Sequence, residues 1–208
     1  MNKLAPSFLN IFLSLGLTCI AAGSILAVVN NVTSELIIVS QKTKIENALK
    51  VVLPDFDNHL VDDAFWVKLA EGDSLKVYPA KKNGETVGFA VESNSKNGFS
   101  GEIKVIVGLD TQGKLINYKV LAHIETPGLG FKMEEWFRSD KNQRSIIGKD
   151  LSRGSLRVTK DKGDIDAITG ATISSRAFLE TINRAYAAVV ENDWDASSGA
   201  TNKEGGEK

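Results

Sequence analysis

The sequence predicts an α+β protein in which one N-terminal transmembrane helix precedes an antiparallel-sheet domain with a C-terminal helix packed on it. Three observations predict it. The run Phe8 to Val29 carries no charge, two strand pairs joined by turn residues lie between Ser74 and Glu125, and an amphipathic pattern extends from Ile173 to Val190. Strand-like and helix-like periods in separate blocks, rather than alternating along the chain, are the pattern of a sheet with a helix laid on it. At 208 residues, 42% hydrophobic and 25% charged, the chain can form one compact domain plus attachments. The formal net charge of −1, with no basic cluster interleaved with aromatics, excludes a broad nucleic-acid surface. A lone cysteine, Cys19, excludes an internal disulfide. His59 and His123 lie in no metal-ligand spacing, so no metal centre is expected.

Residues 1–7 read as a short N-terminal tail and 8–29 as the transmembrane helix, whose length matches a hydrocarbon core of about 30 Å. A cleaved signal peptide is the competing reading, with a shorter apolar region and more basic charge as its usual marks. Lipidation at Cys19 is disfavoured because Thr18 precedes it and the apolar run continues past it. Lys3 stands before the segment and Lys42, Lys44 and Lys50 after it, so a charge count alone places the later chain inside. Residues 30–53 keep a helical spacing through Leu36, Val39, Ile45, Leu49 and Val52, and Pro54 stops it. This stretch reads as a helical stalk or, equally, as a surface helix of the domain that occupies 54–192.

In the domain, Leu75 to Tyr78 and Val87 to Val91 flank Asn83-Gly84, a strong hairpin signal. Glu102 to Val107 and Lys114 to Leu121 flank Asp110 to Gly113, again turn chemistry. Asn94 to Ser100 reads as a flexible connection between the hairpins. A short helical turn is expected over Met133 to Phe137 and a strand over Leu156 to Thr159. Trp66, Phe131 and Trp136 read as core residues. Residues 193–208 are small and polar, a composition that predicts a disordered tail.

Two stretches carry chemistry. Glu125-Thr-Pro-Gly-Leu-Gly130 combines a fixed φ at Pro127 with glycines that permit positive φ or close approach. It is not a dinucleotide fingerprint, because Met133 stands where the third glycine belongs. Asp166-Ala-Ile-Thr-Gly-Ala-Thr172 places a hydroxyl at the mouth of a helix, where unpaired amides and the macrodipole attract a phosphate. Thr172 at or near the N-cap is also a favoured capping residue, and capping alone would explain it. The helix stripe runs through Ile173, Ala177, Phe178, Ile182, Ala185, Tyr186 and Val189, with Ser175 on the other side.

The Asp166 to Thr172 string resembles the motif on which flavin transferases attach FMN to a threonine through a phosphoester. Together with the single membrane segment, the Glu125 to Gly130 turn and the length, it makes Phe8 to Val190 similar to the G subunit of the Rnf-type ion-translocating electron-transport complex. That family shares its FMN-binding domain with the C subunit of the Na+-translocating NADH:quinone reductase. The resemblance implies FMN held covalently on Thr172, with Asp166, Thr169, Gly170 and Ala171 forming the rest of the motif. It also implies that the amides of Gly128 and Gly130 meet the flavin edge, that Leu129 covers a ring face, and that Glu125 or Thr126 offers polar contacts.

By the same resemblance the chain is an electron-carrying member of a ferredoxin:NAD oxidoreductase complex, with no catalytic residues of its own. Its implied partners are the other membrane and redox subunits, and a flavin transferase during maturation. Its implied place is the bacterial cytoplasmic membrane, single-pass, with the soluble domain on the outer face. Two other readings stay open: the C subunit of the quinone reductase, and a non-redox, membrane-tethered binding or assembly module. A hydrolase is set aside, since no Gly-x-Ser-x-Gly occurs and the stretch Gly72 to Lys76 fails at its last position.

Overall fold

The computed structural model describes residues 8–69 and 72–190, and the two expected tails, 1–7 and 193–208, lie outside the described residues. The chain divides into two compact units after Lys44. Helix α1, Phe8–Val52, contributes to both and is long and apolar enough in its first part to cross a membrane. It ends two residues before Pro54, which cannot donate the next ladder hydrogen bond.

The second unit is built on a five-stranded antiparallel sheet: β1 Phe65–Lys68, β2 Ser74–Lys82, β3 Glu85–Ser95, β4 Ile103–Leu109 and β5 Leu115–Ala122, in that spatial order. Strands β2 to β5 follow the expected hairpins, and β1 is an addition. Its residues, Phe-Trp-Val-Lys, are too few to show a period, and pairing with β2 defines it. Asn83 and Gly84, at φ 53° and 84°, make a two-residue turn that sets Lys82 opposite Glu85. At the β4–β5 turn, Asp110 Oδ1 accepts from the amides of Gln112 and Lys114 at 2.9 and 2.8 Å.

Both faces of the sheet are covered, which explains why its strands alternate only in part. Odd positions, among them Val77, Phe89, Val91, Val105 and Val107, join the core beneath helix α3, Thr172–Val190. Even positions, Tyr78, Ala80, Ala90 and Ile106, pack with Ala48, Leu49, Val52 and Leu53 from the end of α1. The stretch 30–53 expected as a stalk therefore ends in residues seated on the sheet. Gly108 makes that seat: a Cβ there would lie 1.9 Å from the carbonyl oxygen of Val52. Asn117 secures it, donating through Nδ2 to the Val51 carbonyl at 3.0 Å.

Helix α3 lies across β3 and β4. Glu180 accepts from Ser95 Oγ at 2.8 Å, and Arg184 donates to the Asn94 carbonyl at 2.5 Å and to Asp73 at 2.7 Å. The core beneath it includes a stacked Phe137–Phe178 pair, with Tyr118 edge-on to Phe178 at 5.0 Å. Phe137 follows the short helix α2, Met133–Trp136, which forms where a helical turn is expected. The strand expected over Leu156 to Thr159 reduces to a single parallel bridge, Val158 with Ile165. The chain turns immediately into the 3₁₀ turn Thr159–Asp161, so no ladder can grow.

Candidate functional site

Two turns of the same construction face each other at the N-terminal end of α3. In Thr126-Pro-Gly-Leu129 the Leu129 amide donates to the Thr126 carbonyl at 3.2 Å, with Gly128 at φ 78°. In Ile168-Thr-Gly-Ala171 the Ala171 amide donates to the Ile168 carbonyl at 2.9 Å, with Gly170 at φ 77°. A positive φ at the third residue is the requirement of a type II turn, and Pro127 supplies the preferred second residue. The turns approach closely, since a Cβ on Gly170 would sit 3.3 Å from Leu129 Cδ2.

Between them opens a cleft of about 360 Å³, lined by Phe99, Leu129, Ile173, Glu125, Lys160 and Thr172, with Thr126, Gly130, Gly170, Ala171 and Ser174 completing its wall. Most of the residues expected at a site thus come together: Glu125, Thr126, Leu129, Gly130, Gly170, Ala171 and Thr172. Gly128, Thr169 and Asp166 do not line it. Gly128 shapes its turn and faces solvent, and Thr169 is exposed. Asp166 is spent on scaffolding: its amide donates to the Gln143 carbonyl at 2.6 Å, and its carbonyl accepts from Trp136 Nε1 at 2.8 Å. Trp136 is therefore part of the frame, with Arg144 over its ring at 3.8 Å. Trp66 and Phe131, expected in the core, are instead 68% and 57% exposed, Phe131 with only the edge-on ring of His123 at 5.1 Å as its aromatic neighbour among the described residues.

Thr172 is the first helical residue, one past the cap. Ala171 takes the cap position, its carbonyl accepting the first helical bond from Ser175 N at 3.0 Å. The Thr172 hydroxyl makes no capping bond among the described residues; it accepts from Lys160 Nζ at 3.2 Å. The amides of Thr172, Ile173 and Ser174 have no protein acceptor among the described residues. A hydroxyl, an ammonium and helix-end amides thus converge, a donor set that suits a phosphate. Phe99, Leu129 and Ile173 border the same cleft with apolar surface, which suits a flat aromatic ring, and the volume lies in the range of ligand pockets.

The floor is held by Glu125, only 4% exposed. Its carboxylate accepts from the Ser100 amide at 3.0 Å and from Ser174 Oγ at 2.5 Å. Glycines make the room. A Cβ on Gly130 would lie 2.6 Å from both Glu125 Oε2 and Ser174 Oγ, and one on Gly98 would lie 2.6 Å from Glu125 Oε1. Gly130 is thus needed to seat the buried Glu125–Ser174 pair. The connection Asn94 to Ser100, expected to be flexible, begins inside β3, which runs to Ser95, and is tied onto the site through Ser100. Gly130→Ala is expected to cost about 2 kcal/mol by overpacking and to lower Tm by about 4–8 °C. Thermal melts of the detergent-solubilised chain check this.

Ser175, Ile173, Lys160 and Phe99 escape a reading of sequence alone. Ser175, placed on the outer side of the stripe by its polarity, is fully buried. It accepts from the Ile168 amide and donates to the Ala171 carbonyl, both at 2.9 Å, which staples the glycine turn to the helix. Ile173, assigned to the core stripe, is 49% exposed at the cleft. Lys160 and Phe99 come from other segments, and no spacing links them to Thr172. Beside the cleft Arg176 donates twice to Asp161, at 2.7 and 2.6 Å, and these hydrogen bonds hold the Asp161 carboxyl below its usual range.

Comparison with known proteins covers the same region. Residues 98–187 match a family model described as FMN-binding domain. The chain is 35% identical over 178 residues to the G subunit of the ion-translocating oxidoreductase complex of Vibrio parahaemolyticus, spanning 82% of this chain and 83% of that protein. The protein of the same name from Shewanella amazonensis is 34% identical over 186 residues, 85% and 84% of the two chains. That from Shewanella oneidensis is 35% identical over 182 residues, 83% and 85%.

Proposed function

The chain belongs to the family of G subunits of the ion-translocating oxidoreductase complex, and on that premise we propose that it carries electrons through an FMN joined to Thr172 by a phosphoester. The observation that carries this reading is the Thr172 hydroxyl itself, unspent on capping and open to a cleft with a phosphate donor set at one wall and apolar surface at others. A threonine that served only as a cap would place its oxygen on the amides of the first turn. Here the amides are left for a ligand.

FMN, when bound, supplies reversible one- and two-electron chemistry. The chain's own residues position it. Lys160 and the first amides of α3 hold the phosphate, Phe99, Leu129 and Ile173 keep water from the ring, and Glu125 and Ser174 fix the floor on which both turns rest. A threonine hydroxyl is a weak nucleophile, so attachment calls for a flavin transferase. Asp166 and Thr169, which lie off the cleft, belong in this reading to what that enzyme recognises or to the frame of the motif. The electron donors and acceptors are the other membrane and redox subunits of the complex.

Residues 8–29 serve as the membrane segment, 30–53 as the helical lead-in and 54–192 as the FMN-binding domain. Family resemblance supports an outer-face position for that domain, against the count of lysines after the apolar run. Trypsin added outside spheroplasts is expected to digest it, and protection there would reverse the orientation. The attachment itself is tested by flavin fluorescence in a denaturing gel, after co-expression with a flavin transferase. A bright band at the mass of this chain is the expected result. A dark band, beside a positive-control flavoprotein that is bright, would return the chain to the binding-module reading.

A further inference from the structure

We propose that Lys160 is the counter-charge of the phosphodiester on Thr172 and that this charge pairing, added to the contacts of the cleft, restricts the attached flavin to one position; the inference rests on the attachment reading above. Its Nζ lies 3.2 Å from Thr172 Oγ1 and lines the same cleft. A phosphorus bonded to Oγ1 carries its two unesterified oxygens one bond further out. An ammonium beside Oγ1 is therefore in their neighbourhood. The phosphodiester is an anion at every physiological pH, and lysine, a compact charge with three donors, can bond the ester oxygen and a free oxygen together.

The neighbouring carboxylates take their hydrogen bonds from groups other than Lys160. Asp161, next in the chain, is occupied by the two hydrogen bonds from Arg176. Glu125, which shares the cleft, has one oxygen on the Ser100 amide and the other on Ser174 Oγ. The backbone beneath Lys160 is also fixed. The Thr159 amide donates to the Ile165 carbonyl and the Asp161 amide to the Val158 carbonyl, both at 2.8 Å. Gly163 closes the turn so tightly that a Cβ would meet the Arg157 carbonyl oxygen at 2.1 Å. Lys160 thus stands on a rigid turn, across from the first residue of α3, with one charge of the right sign.

The test compares full-length, flavin-loaded wild type, Lys160→Met and Lys160→Arg by anisotropy of the attached flavin in the native state and by fluorescence of the denatured band. All three bands are expected to be bright after denaturation, since Thr172 is intact. In the native state Lys160→Met is expected to lose anisotropy toward its denatured value, and Lys160→Arg to stay near wild type. Raising salt to 1 M, where the screening length is about 3 Å, is expected to lower wild type toward Lys160→Met. Native anisotropy equal in wild type and Lys160→Met overturns the inference. So does a loss shared by Lys160→Met and Lys160→Arg with no salt dependence, which would mean packing rather than charge. A dark wild-type band overturns the attachment reading and this inference with it, whereas a bright band with unchanged anisotropy overturns this inference alone.

Discussion

Thr172→Ala is expected to abolish covalent flavin completely while leaving the fold intact. The phosphoester needs a hydroxyl at this position, and a methyl group offers no atom to join. What makes the prediction sharp is that the hydroxyl contributes little else. The cap of α3 is Ala171, the turn before it is stapled by Ser175, and the only partner of the Thr172 oxygen among the described residues is the Lys160 ammonium. Alanine is also the best helix former, so the first turn of α3 is not weakened. Stability is expected to change by no more than about 0.5 kcal/mol, as for surface positions without a special role. A dark denatured band with an unshifted melting curve is the expected pair of results. A variant band as bright as wild type would move the attachment to another residue, and a collapsed melting curve would mean that Thr172 is structural after all.

Gly108→Val is expected to destabilise the domain strongly. The position faces the last turn of α1, and even a methyl group would lie 1.9 Å from the Val52 carbonyl oxygen and 2.7 Å from its carbon. These are backbone atoms at a helix end, already fixed by the Asn117 hydrogen bond to Val51. They cannot swing aside as a side chain would. Relief requires lifting Leu49, Val52 and Leu53 from the face formed by Tyr78, Ala80, Ala90 and Ile106. Overpacking usually costs about 1–3 kcal/mol, and the lost burial of large apolar side chains adds to it, so a loss of about 4 kcal/mol is expected. That corresponds to a fall in Tm of about 8–16 °C. Gly84→Ala is the comparison: it faces open space and is strained only by its φ of 84°, so its cost should be distinctly smaller.

The parts of the molecule that the sequence makes legible are those set by neighbouring residues. Asn83-Gly84 announces its hairpin because only a few residues tolerate two successive positive φ angles. Helix α3 and the threonine at its start follow from a stripe and a motif within one segment. Lys160 and Phe99 are invisible by the same logic, since they join Thr172 at the cleft only when the sheet and the 157–165 turns bring separate segments together. Polarity also misleads where a hydroxyl can satisfy itself. Ser175 looks like a surface residue, yet its two hydrogen bonds to the glycine turn let it be fully buried. Gly130 shows a third limit. A motif can say that a glycine is required, but only the packing says that a buried carboxylate lies against the space it leaves.

The spatial order of the strands repeats their order in the chain, and this bears on how the protein comes into being. Each strand pairs with its neighbour in the chain across a connection of no more than seven residues, so the sheet can zip up from local hairpins with little loop entropy to overcome. Helix α3 is different: its ties from Glu180 to Ser95 and from Arg184 to Asn94 close loops of more than half the domain. Docking it is the natural late step. The cleft needs the 98–101 connection, the Thr126 turn and the start of α3 all in place, so it is completed only when that step is done. A modifying enzyme that reads the cleft would then act on finished molecules alone, and covalent flavin would serve as a mark that the domain has folded.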